Sequence, residues 1–238
     1  ALHHGNPSGA FSAAKIWYDD DPQDPSACRT VGQALLSMGN VAESFGMLRE
    51  ALRLDPENHG TREDIVRALS LSGLHESAED FLVEALEDYP DSVQLWNRLG
   101  HLRVERKHFE EALEAFQRGM ALNKRHPGIW SGLGQVYTHL LRGDEAKKTL
   151  EKATKLFPRN PQARINLAVD ANFRGDPKEA ERHIEAALAL DPNHTRGLFH
   201  YVSLKKADTE PEILDRLERI KNDPMLKPED KHRALYTS

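Results

Sequence analysis

Twelve histidines and one cysteine are the side chains of this 238-residue chain best suited to metal binding or nucleophilic chemistry. Cys28 would act as a nucleophile only beside a base that lowers its pKa. No His-x3-His or His-Glu-x2-His pair places two imidazoles on one helix face, and no second cysteine accompanies them. We therefore expect packed or solvated histidines, a buried structural Cys28, and neither a metal nor a cofactor.

Carboxylates and glycines offer no better case for catalysis. The pair Glu110–Glu111 and the acids within Glu76–Asp80 lie near the starts of predicted helices, where negative charge offsets the helix dipole. Gly132 and Gly134 lie inside a predicted helix, so they are better explained by close helix packing than by a phosphate-binding loop. The sequence contains no catalytic motif, and we expect no enzymatic activity from this chain.

Composition limits the classes of partner and the cellular compartments that suit this chain. The net charge is −6 with 29% charged residues, which disfavours nucleic acid and anionic membranes as general partners. A single cysteine excludes an intrachain disulfide and fits a reducing compartment. No apolar run is long enough to span a membrane, and the N-terminus lacks the pattern of a secretion signal. These features favour the cytoplasm and a protein or peptide partner.

Prolines recur along most of the chain with a spacing of 34 residues, and Lys124 occupies the one position where the proline is missing. A small residue lies twelve positions before each of these sites, which lets two helices approach closely. The prolines are Pro22, Pro56, Pro90, Pro158 and Pro192, and the small residues are Ala10, Ser44, Ala78, Ala112, Ala146 and Ala180.

A helical signature repeats between the prolines. Trp130–Tyr137 is a full W-x2-L-G-x2-Y match, Trp96–Gly100 is a shorter copy, and Ala112 with Phe116 supplies an A-x3-F half. On these motifs the chain resembles the tetratricopeptide repeat family. The resemblance implies an all-α right-handed superhelix, in which each repeat is a helix A, a tight turn and a helix B.

The proline register gives the expected domain organisation. Residues 1–24 are a partial repeat, with the end of a helix A and a helix B, and 195–238 hold a sixth helix A and a helical extension. Five full repeats occupy 25–194, as 25–58, 59–92, 93–126, 127–160 and 161–194. Both ends look cut within helices, so we expect a fragment of a longer protein.

Turn residues follow the same register. Gly39, Gly73 and Gly175 fall in the A–B turns, where a positive φ favours glycine. In the repeat 127–160 the glycine is Gly143, two residues later, so we expect a shifted turn there. Without a proline at Lys124, helix B of that repeat is expected to run on to His126–Pro127. The expected helix N-caps are Asp24, Asp91 and Asn160.

The C-terminal region departs from the repeat. Glu212–Lys221 is predicted to be an amphipathic helix with Ile213, Leu214, Leu217 and Ile220 on one face, and Lys227–Asp230 to open a last helix. The segments within Val202–Lys231, among them Val202-Ser203-Leu204-Lys205-Lys206 and Asp223-Pro224-Met225-Leu226, are similar to the link of bacterial proteins that join such repeats to a sulfotransferase domain. That resemblance implies that this chain is the non-catalytic part.

In the resembled fold the A helices line a concave groove. Amide, guanidinium and imidazole groups on that face suit hydrogen bonding to an extended peptide, although an ordinary solvated face would look similar. The candidate groove residues are Arg29, Gln33, Arg67, Gln94, Asn97, Arg98, His101, Gln135, Asn166, Asn172, Arg196 and His200.

Two groove types known in the resembled family are poorly matched. Arg29, Gln33 and Arg98 are loosely comparable with the clamp for chaperone tails, but Asp64 stands where asparagine is required and would repel a carboxylate. The asparagine ladder of the glycosyltransferase branch is met only by Asn166. The leading hypothesis is therefore a non-catalytic protein- or peptide-binding scaffold. A regulatory or substrate-presenting region of a sulfotransferase-like enzyme is the alternative, and a self-assembly module is the third.

Overall fold

The computed structural model describes residues 7–205 and 211–222, and this part of the chain is helical without any strand. The chain divides into two compact units, 1–102 and 103–238, and the division falls inside a helix. In unit 1 the helices are α1 (Pro7–Asp20), α2 (Pro25–Ser37), α3 (Val41–Leu54), α4 (His59–Leu71), α5 (His75–Asp88) and α6 (Val93–Glu105), the last of which continues into unit 2.

Unit 2 continues the same succession of helices. Its first five fall within the predicted repeats, and its last two follow them. They are α7 (Phe109–Leu122), α8 (Pro127–His139), α9 (Gly143–Leu156), α10 (Pro161–Phe173), α11 (Pro177–Leu188), α12 (Thr195–Lys205) and α13 (Pro211–Asn222). The predicted all-α fold class of paired helices is confirmed.

Close contact between neighbouring helices depends on small residues. A Cβ atom at Gly134 of α8 would lie 2.2 Å from Leu150 Cδ2 of α9, and one at Gly132 would lie 2.3 Å from the Phe116 ring of α7. Both distances are shorter than real Cβ contacts, so a substitution would force the Leu150 or Phe116 side chain, or the helix that carries it, to shift. The prediction that these glycines serve packing is confirmed.

The A–B turns keep one geometry whether or not glycine is present. Gly39, Gly73 and Gly175 have φ values of 82°, 73° and 78°, as predicted. Lys107 and Leu141 hold the same register position with φ values of 64° and 59°. The expected shift of the turn before Gly143 is therefore wrong, because Leu141 takes the left-handed conformation and Gly143 is the first residue of α9.

A recurring hydrogen bond explains why the turn does not move. The residue after the left-handed position donates its N–H to the carbonyl five residues earlier, as in a Schellman motif. The N···O distance is 2.9 Å from Arg142 to Tyr137 and 2.9 Å from Leu74 to Leu69. Closing this bond satisfies an otherwise free carbonyl at the end of helix A, and this offsets part of the strain at Leu141.

The loops between repeats also keep one geometry. The indole N–H of Trp96 donates to the Pro90 carbonyl at 2.7 Å, and that of Trp130 donates to the Lys124 carbonyl at 2.7 Å. Helix α7 ends at Leu122 and does not run on to Pro127, so that expectation was wrong. The backbone carbonyl of residue 124 accepts the indole bond whichever side chain it carries, so the loop forms without the proline.

Helix starts agree with the sequence at two of the three predicted caps. Asp24 accepts the Ser26 N–H at 2.8 Å and Asn160 accepts the Gln162 N–H at 2.9 Å. Asp91 is not the cap of α6. Ser92 lies directly before that helix, and its Oγ accepts the Leu95 N–H at 3.4 Å.

The C-terminal helices confirm part of the amphipathic pattern. Leu217 of α13 is buried, and Ile213 packs against the same core of unit 2. Leu214 is 48% exposed, so its predicted place on the buried face is wrong: it lies three residues before Leu217 but on the flank of the helix that faces solvent. The side chain of Ile220 and the predicted helix at 227–238 lie outside the described residues.

Replacing Leu141 by glycine is expected to stabilise the protein by about 0.5–1 kcal/mol. A non-glycine residue costs about 1–2 kcal/mol in the left-handed region, and the greater freedom of unfolded glycine offsets part of the gain. Leu141 is 83% exposed, so few contacts are lost. Urea denaturation followed by circular dichroism measures the change. The control is Gly175→Ala at the same register, which should destabilise; a less stable Leu141→Gly protein would contradict the assignment.

Candidate functional site

A buried carboxylate organises three of the predicted groove residues of unit 1. Asp64 of α4 has a side chain only 8% exposed, and three side chains donate to it. Arg29 Nε lies 2.8 Å from Oδ2, Gln33 Nε2 lies 2.6 Å from Oδ2, and Arg67 Nη2 lies 2.8 Å from Oδ1. The structure therefore brings together Arg29, Gln33 and Arg67, on α2 and α4, around a residue that was expected only to repel anions.

The charge of this cluster is unbalanced. Two guanidinium groups face one carboxylate, so the cluster carries a net positive charge while Asp64 holds both arginines in place. Their side chains are about one-third exposed, at 33% for Arg29 and 34% for Arg67. Gly60 leaves room for the first of them, because a Cβ there would lie 2.5 Å from Arg29 Nη2. The remaining N–H groups are thus presented in fixed directions.

Helix α6 adds polar atoms that lack partners. Asn97 Oδ1 and Arg98 Nε are buried and form no hydrogen bond within the described residues, and the same holds for Arg67 Nε. Gln94 is exposed, and His101 is half-buried on the same helix. Buried polar groups are normally hydrogen-bonded, so unpaired atoms on neighbouring helices mark a surface suited to a polar ligand.

The predicted groove residues of unit 2 differ from one another in burial. Asn166 is buried, donates to the Ser131 carbonyl at 2.9 Å and accepts from Gln162 at 2.9 Å. Its hydrogen-bonding groups are used inside the unit, so we leave Asn166 out of the proposed surface. Asn172 is exposed and lines a cavity of about 150 Å³ together with His200.

Two other candidates of unit 2, Gln135 and Arg196, are half-buried. The charge of Arg196, after burial, contributes to lowering the pKa of His139 below its ordinary value.

Sequence reasoning missed a second buried carboxylate. Asp170 of α10 is 1% exposed, accepts from Arg174 Nε at 2.9 Å and from Thr138 Oγ1 of α8 at 3.3 Å. Arg174 also donates to Glu179 of α11 at 2.8 Å, and this bond is the main cause that lowers the pKa of Glu179. An arginine three or four residues after the acid, Arg67 after Asp64 and Arg174 after Asp170, was the available signal in the sequence.

The residues that loosely match a clamp for a ligand carboxylate are largely occupied by Asp64. Arg29 and Gln33, two of the three loosely matching residues, already donate to Asp64. A ligand carboxylate would have to compete with a buried internal one for the same donors. Arg98 of α6 is the remaining residue of the three.

Cys28 is a packing residue. Its side chain is fully buried, and its thiol lies 3.5 Å from the Pro22 carbonyl, the loop position to which Trp96 and Trp130 donate in their own repeats. Burial raises the pKa of the thiol, and the Glu50 charge raises it further. The group is therefore held in its protonated, unreactive form.

Residues 7–205 and 211–222 hold no group of three histidine, cysteine or acidic side chains arranged to bind a metal ion. None of the helices there has the length and apolar character needed to cross a membrane.

Paired helices, left-handed turns at a constant register and polar A-helix faces together define an all-α helical-repeat protein. The family model for the tetratricopeptide repeat matches residues 35–100 and 103–169, more than half of the chain. The chain belongs to the tetratricopeptide repeat family.

Relatives and solved structures agree with this assignment. The chain is 28% identical over 171 residues to the peroxisomal targeting signal receptor of Eremothecium gossypii, covering 71% of this chain and 30% of the receptor. Yeast Tom70 superposes with a TM-score of 0.68 at 22% identity, covering 91% of this chain and 45% of Tom70. YrrB, titled a repeat protein with an unusual peptide-binding site, gives 0.52 at 19% identity, covering 80% of this chain and 98% of YrrB.

These matches cover only a small part of each curated relative. The chain spans 30% or less of the length of the first curated relatives it matches. They give no support to the resemblance of Val202–Lys231 to a sulfotransferase link. Much of that segment, 206–210 and 223–231, lies outside the described residues, so the resemblance stays a prediction.

Replacing Asp64 by asparagine is expected to destabilise the protein by about 1–3 kcal/mol, because buried donors lose their charged acceptor. The matched control is Glu63→Gln, since Glu63 is the exposed neighbour on the same helix. Denaturant unfolding of both variants measures the difference. Equal unfolding free energies would contradict the organising role of Asp64.

The buried thiol predicts a pH dependence of stability. Because the pKa of Cys28 is raised in the folded state, the unfolded thiol ionises first, and the unfolding free energy should fall as pH rises above about 8.5. Cys28→Ala should lack this part of the slope. A thiol reagent should react with the native protein far more slowly than with the unfolded chain; equal rates would show that Cys28 is accessible.

Proposed function

We propose that this chain is a non-catalytic scaffold that binds an extended segment of a partner protein along the A-helix face of unit 1. The observation that carries the proposal is the Asp64 cluster beside the unpaired buried atoms of Asn97 and Arg98. The cluster holds cationic donors rigid, and rigid donors lose little side-chain entropy when a ligand binds.

The chemistry of these atoms favours a peptide backbone. Asn97 offers a free acceptor for a peptide N–H, and Arg98 offers a free donor for a peptide carbonyl. A buried polar atom without a partner costs about 1–3 kcal/mol, and a ligand that supplies the partner recovers part of that free energy. An extended peptide presents N–H and C=O groups alternately. One peptide can therefore supply both the donor that Asn97 Oδ1 lacks and the acceptor that Arg98 Nε lacks.

The similar proteins support a binding role. One relative is named a targeting signal receptor, and one similar structure is titled for its peptide-binding site. Those properties belong to those proteins, and we extend to this chain only the class of function. The acidic net charge of −6 favours a protein partner over nucleic acid or a membrane surface.

A regulatory or substrate-presenting role beside a sulfotransferase domain stays a secondary proposal, because only the sequence resemblance of Val202–Lys231 supports it. Self-association is the third. Light scattering over a range of protein concentrations tests it directly, since a self-assembling chain gains apparent mass with concentration.

The peptide proposal is tested with a displayed library of random peptides selected on the purified chain. Arg98→Ala and Asn97→Ala should each weaken the selected peptides by about tenfold, the effect of losing one hydrogen bond of about 1.4 kcal/mol. Isothermal titration calorimetry measures the dissociation constants.

The matched control is Arg118→Ala, which removes an arginine exposed on a helix B. It should leave affinity within twofold. If circular dichroism shows an intact fold and neither Arg98→Ala nor Asn97→Ala weakens any selected peptide, this surface is not the binding site.

A further inference from the structure

A second groove lies on the other side of unit 1, between the B helices α3 and α5. It encloses about 710 Å³, which is within the range of about 300–1,000 Å³ typical of ligand sites. Its floor is apolar and aromatic, with Leu52 of α3, Phe81 of α5 and Tyr89 at the end of α5. None of the predicted groove residues lines it, and the two surfaces meet at Arg62, which also lines a small cavity together with Gln94 and Arg98.

One wall of this groove is acidic. Helix α5 carries no lysine or arginine, and its Asp80, Glu84 and Asp88 line the groove at successive intervals of four residues. All three are exposed, and none of their carboxylates forms an ion pair or a hydrogen bond within the described residues. Side chains four residues apart share one helix face, so the three carboxylates form a row about 12 Å long.

The opposite wall is basic, and one of its two arginines is already paired. Arg53 of α3 is bonded to Glu50 at 2.7–2.8 Å, and the Arg49 guanidinium lies 5.9 Å from the centre of the Phe45 ring. No ion pair joins the two walls among the described residues. The lining holds three arginines and three carboxylates, but Arg53 is already paired with Glu50, so the negative charge exceeds the positive by one and is concentrated along α5.

A buried arginine at one end supplies the second observation. Arg62 lines the groove, is only 4% exposed, and its Nη1 has no hydrogen-bond partner. Its Nη2 donates to the Pro56 carbonyl, and its guanidinium lies over the Tyr89 ring at 4.2 Å. Arg62 occupies the repeat position that holds Trp96 and Trp130 in the next two repeats. Each of those tryptophans donates a single N–H to the loop carbonyl six residues earlier. The arginine keeps that bond and adds an unused donor.

We propose that this groove binds a basic amphipathic helix of a partner protein, with the helix C-terminus at Arg62. Lysines or arginines at intervals of four residues would face Asp80, Glu84 and Asp88, and apolar residues between them would cover Phe81 and Leu52. The groove thus takes a different class of segment from the extended peptide proposed for the A-helix face.

The direction of the helix follows from its free carbonyls. The last four carbonyls of a helix have no partner inside the helix and carry partial negative charge. Arg62 Nη1 is a donor without an acceptor, and it lies beside Tyr89, at the C-terminal end of α5. A bound helix parallel to α5 would bring its free carbonyls to this donor and its basic side chains to the acidic row.

The test selects from a displayed library of random 16-residue peptides with the purified chain. Enriched sequences should carry basic residues at intervals of four beside an apolar stripe. Their affinity should fall between 50 mM and 500 mM NaCl, because exposed charge pairs are screened. Glu84→Lys should weaken them by about five- to tenfold, since an attraction becomes a repulsion.

A matched variant separates the groove from the general charge of α5. Glu87→Lys changes the same charge on the same helix outside the groove lining, and should change affinity less than twofold. Arg62→Trp places the tryptophan of the neighbouring repeats at this position, so the fold should persist while the spare donor is lost and affinity falls.

The outcomes decide the proposal. Enrichment of such peptides with selective loss in Glu84→Lys and Arg62→Trp supports it. No enrichment of basic amphipathic sequences overturns it, and so does equal binding by Glu84→Lys and Glu87→Lys. Because Arg98 does not line this groove, peptides that lose affinity only in Arg98→Ala belong to the A-helix face, and the two proposals fail separately.

Discussion

The close contact between paired helices is the constraint on which the remaining structure depends. The B helices of the five full repeats each present a small residue to the partner helix: Ser44, Ala78, Ala112, Ala146 and Ala180 are all 0–1% exposed. A larger side chain there, or at Gly134 where a Cβ would meet Leu150, would separate the helices and open the apolar layer between them. The recurring turns and loops follow from this spacing, because helices held at one distance need connections of one geometry.

Two buried carboxylates show how polar groups are placed on this apolar frame. Asp64 gathers donors from α2 and α4 in unit 1, and Asp170 gathers them from α8 and α10 in unit 2. In each case the acid joins successive A helices, so the same contacts that hold the unit together also order its polar face. A buried charge that is fully hydrogen-bonded can fix side-chain directions that an apolar contact would leave free.

Unit 1 presents two faces of different chemistry. The A-helix side has cationic donors held by Asp64, and the B-helix side has the acidic row of α5 over an apolar floor. A repeat of two paired helices has an A-helix face and a B-helix face wherever both helices are partly exposed. Opposite charge on the two sides would direct different partners to them, because charged segments approach a surface of complementary potential.

Periodicity alone was enough to predict the helix pairs, the positions of the turns and the burial of Cys28, because a pattern repeated every 34 residues averages over the irregularities of single repeats. Local exceptions were misread. Leu141 takes the left-handed conformation without glycine, and α7 stops at Leu122 without a proline. Hydrogen bonds from the neighbouring segments impose these geometries. The conformational propensity of the residue itself does not predict those bonds.

The sequence by itself determined the fold class, the register and the absence of a catalytic motif. Only the tertiary structure decided which polar side chains act together. Asp64 and Arg29 are 35 residues apart and meet because successive A helices pack side by side, while Asn166 is buried by the same packing. Likewise Arg62 has an unused donor only because Tyr89 and the Pro56 carbonyl surround it. Spacing assigns a residue to a helix face, but partners on other helices decide whether its polar atoms remain available.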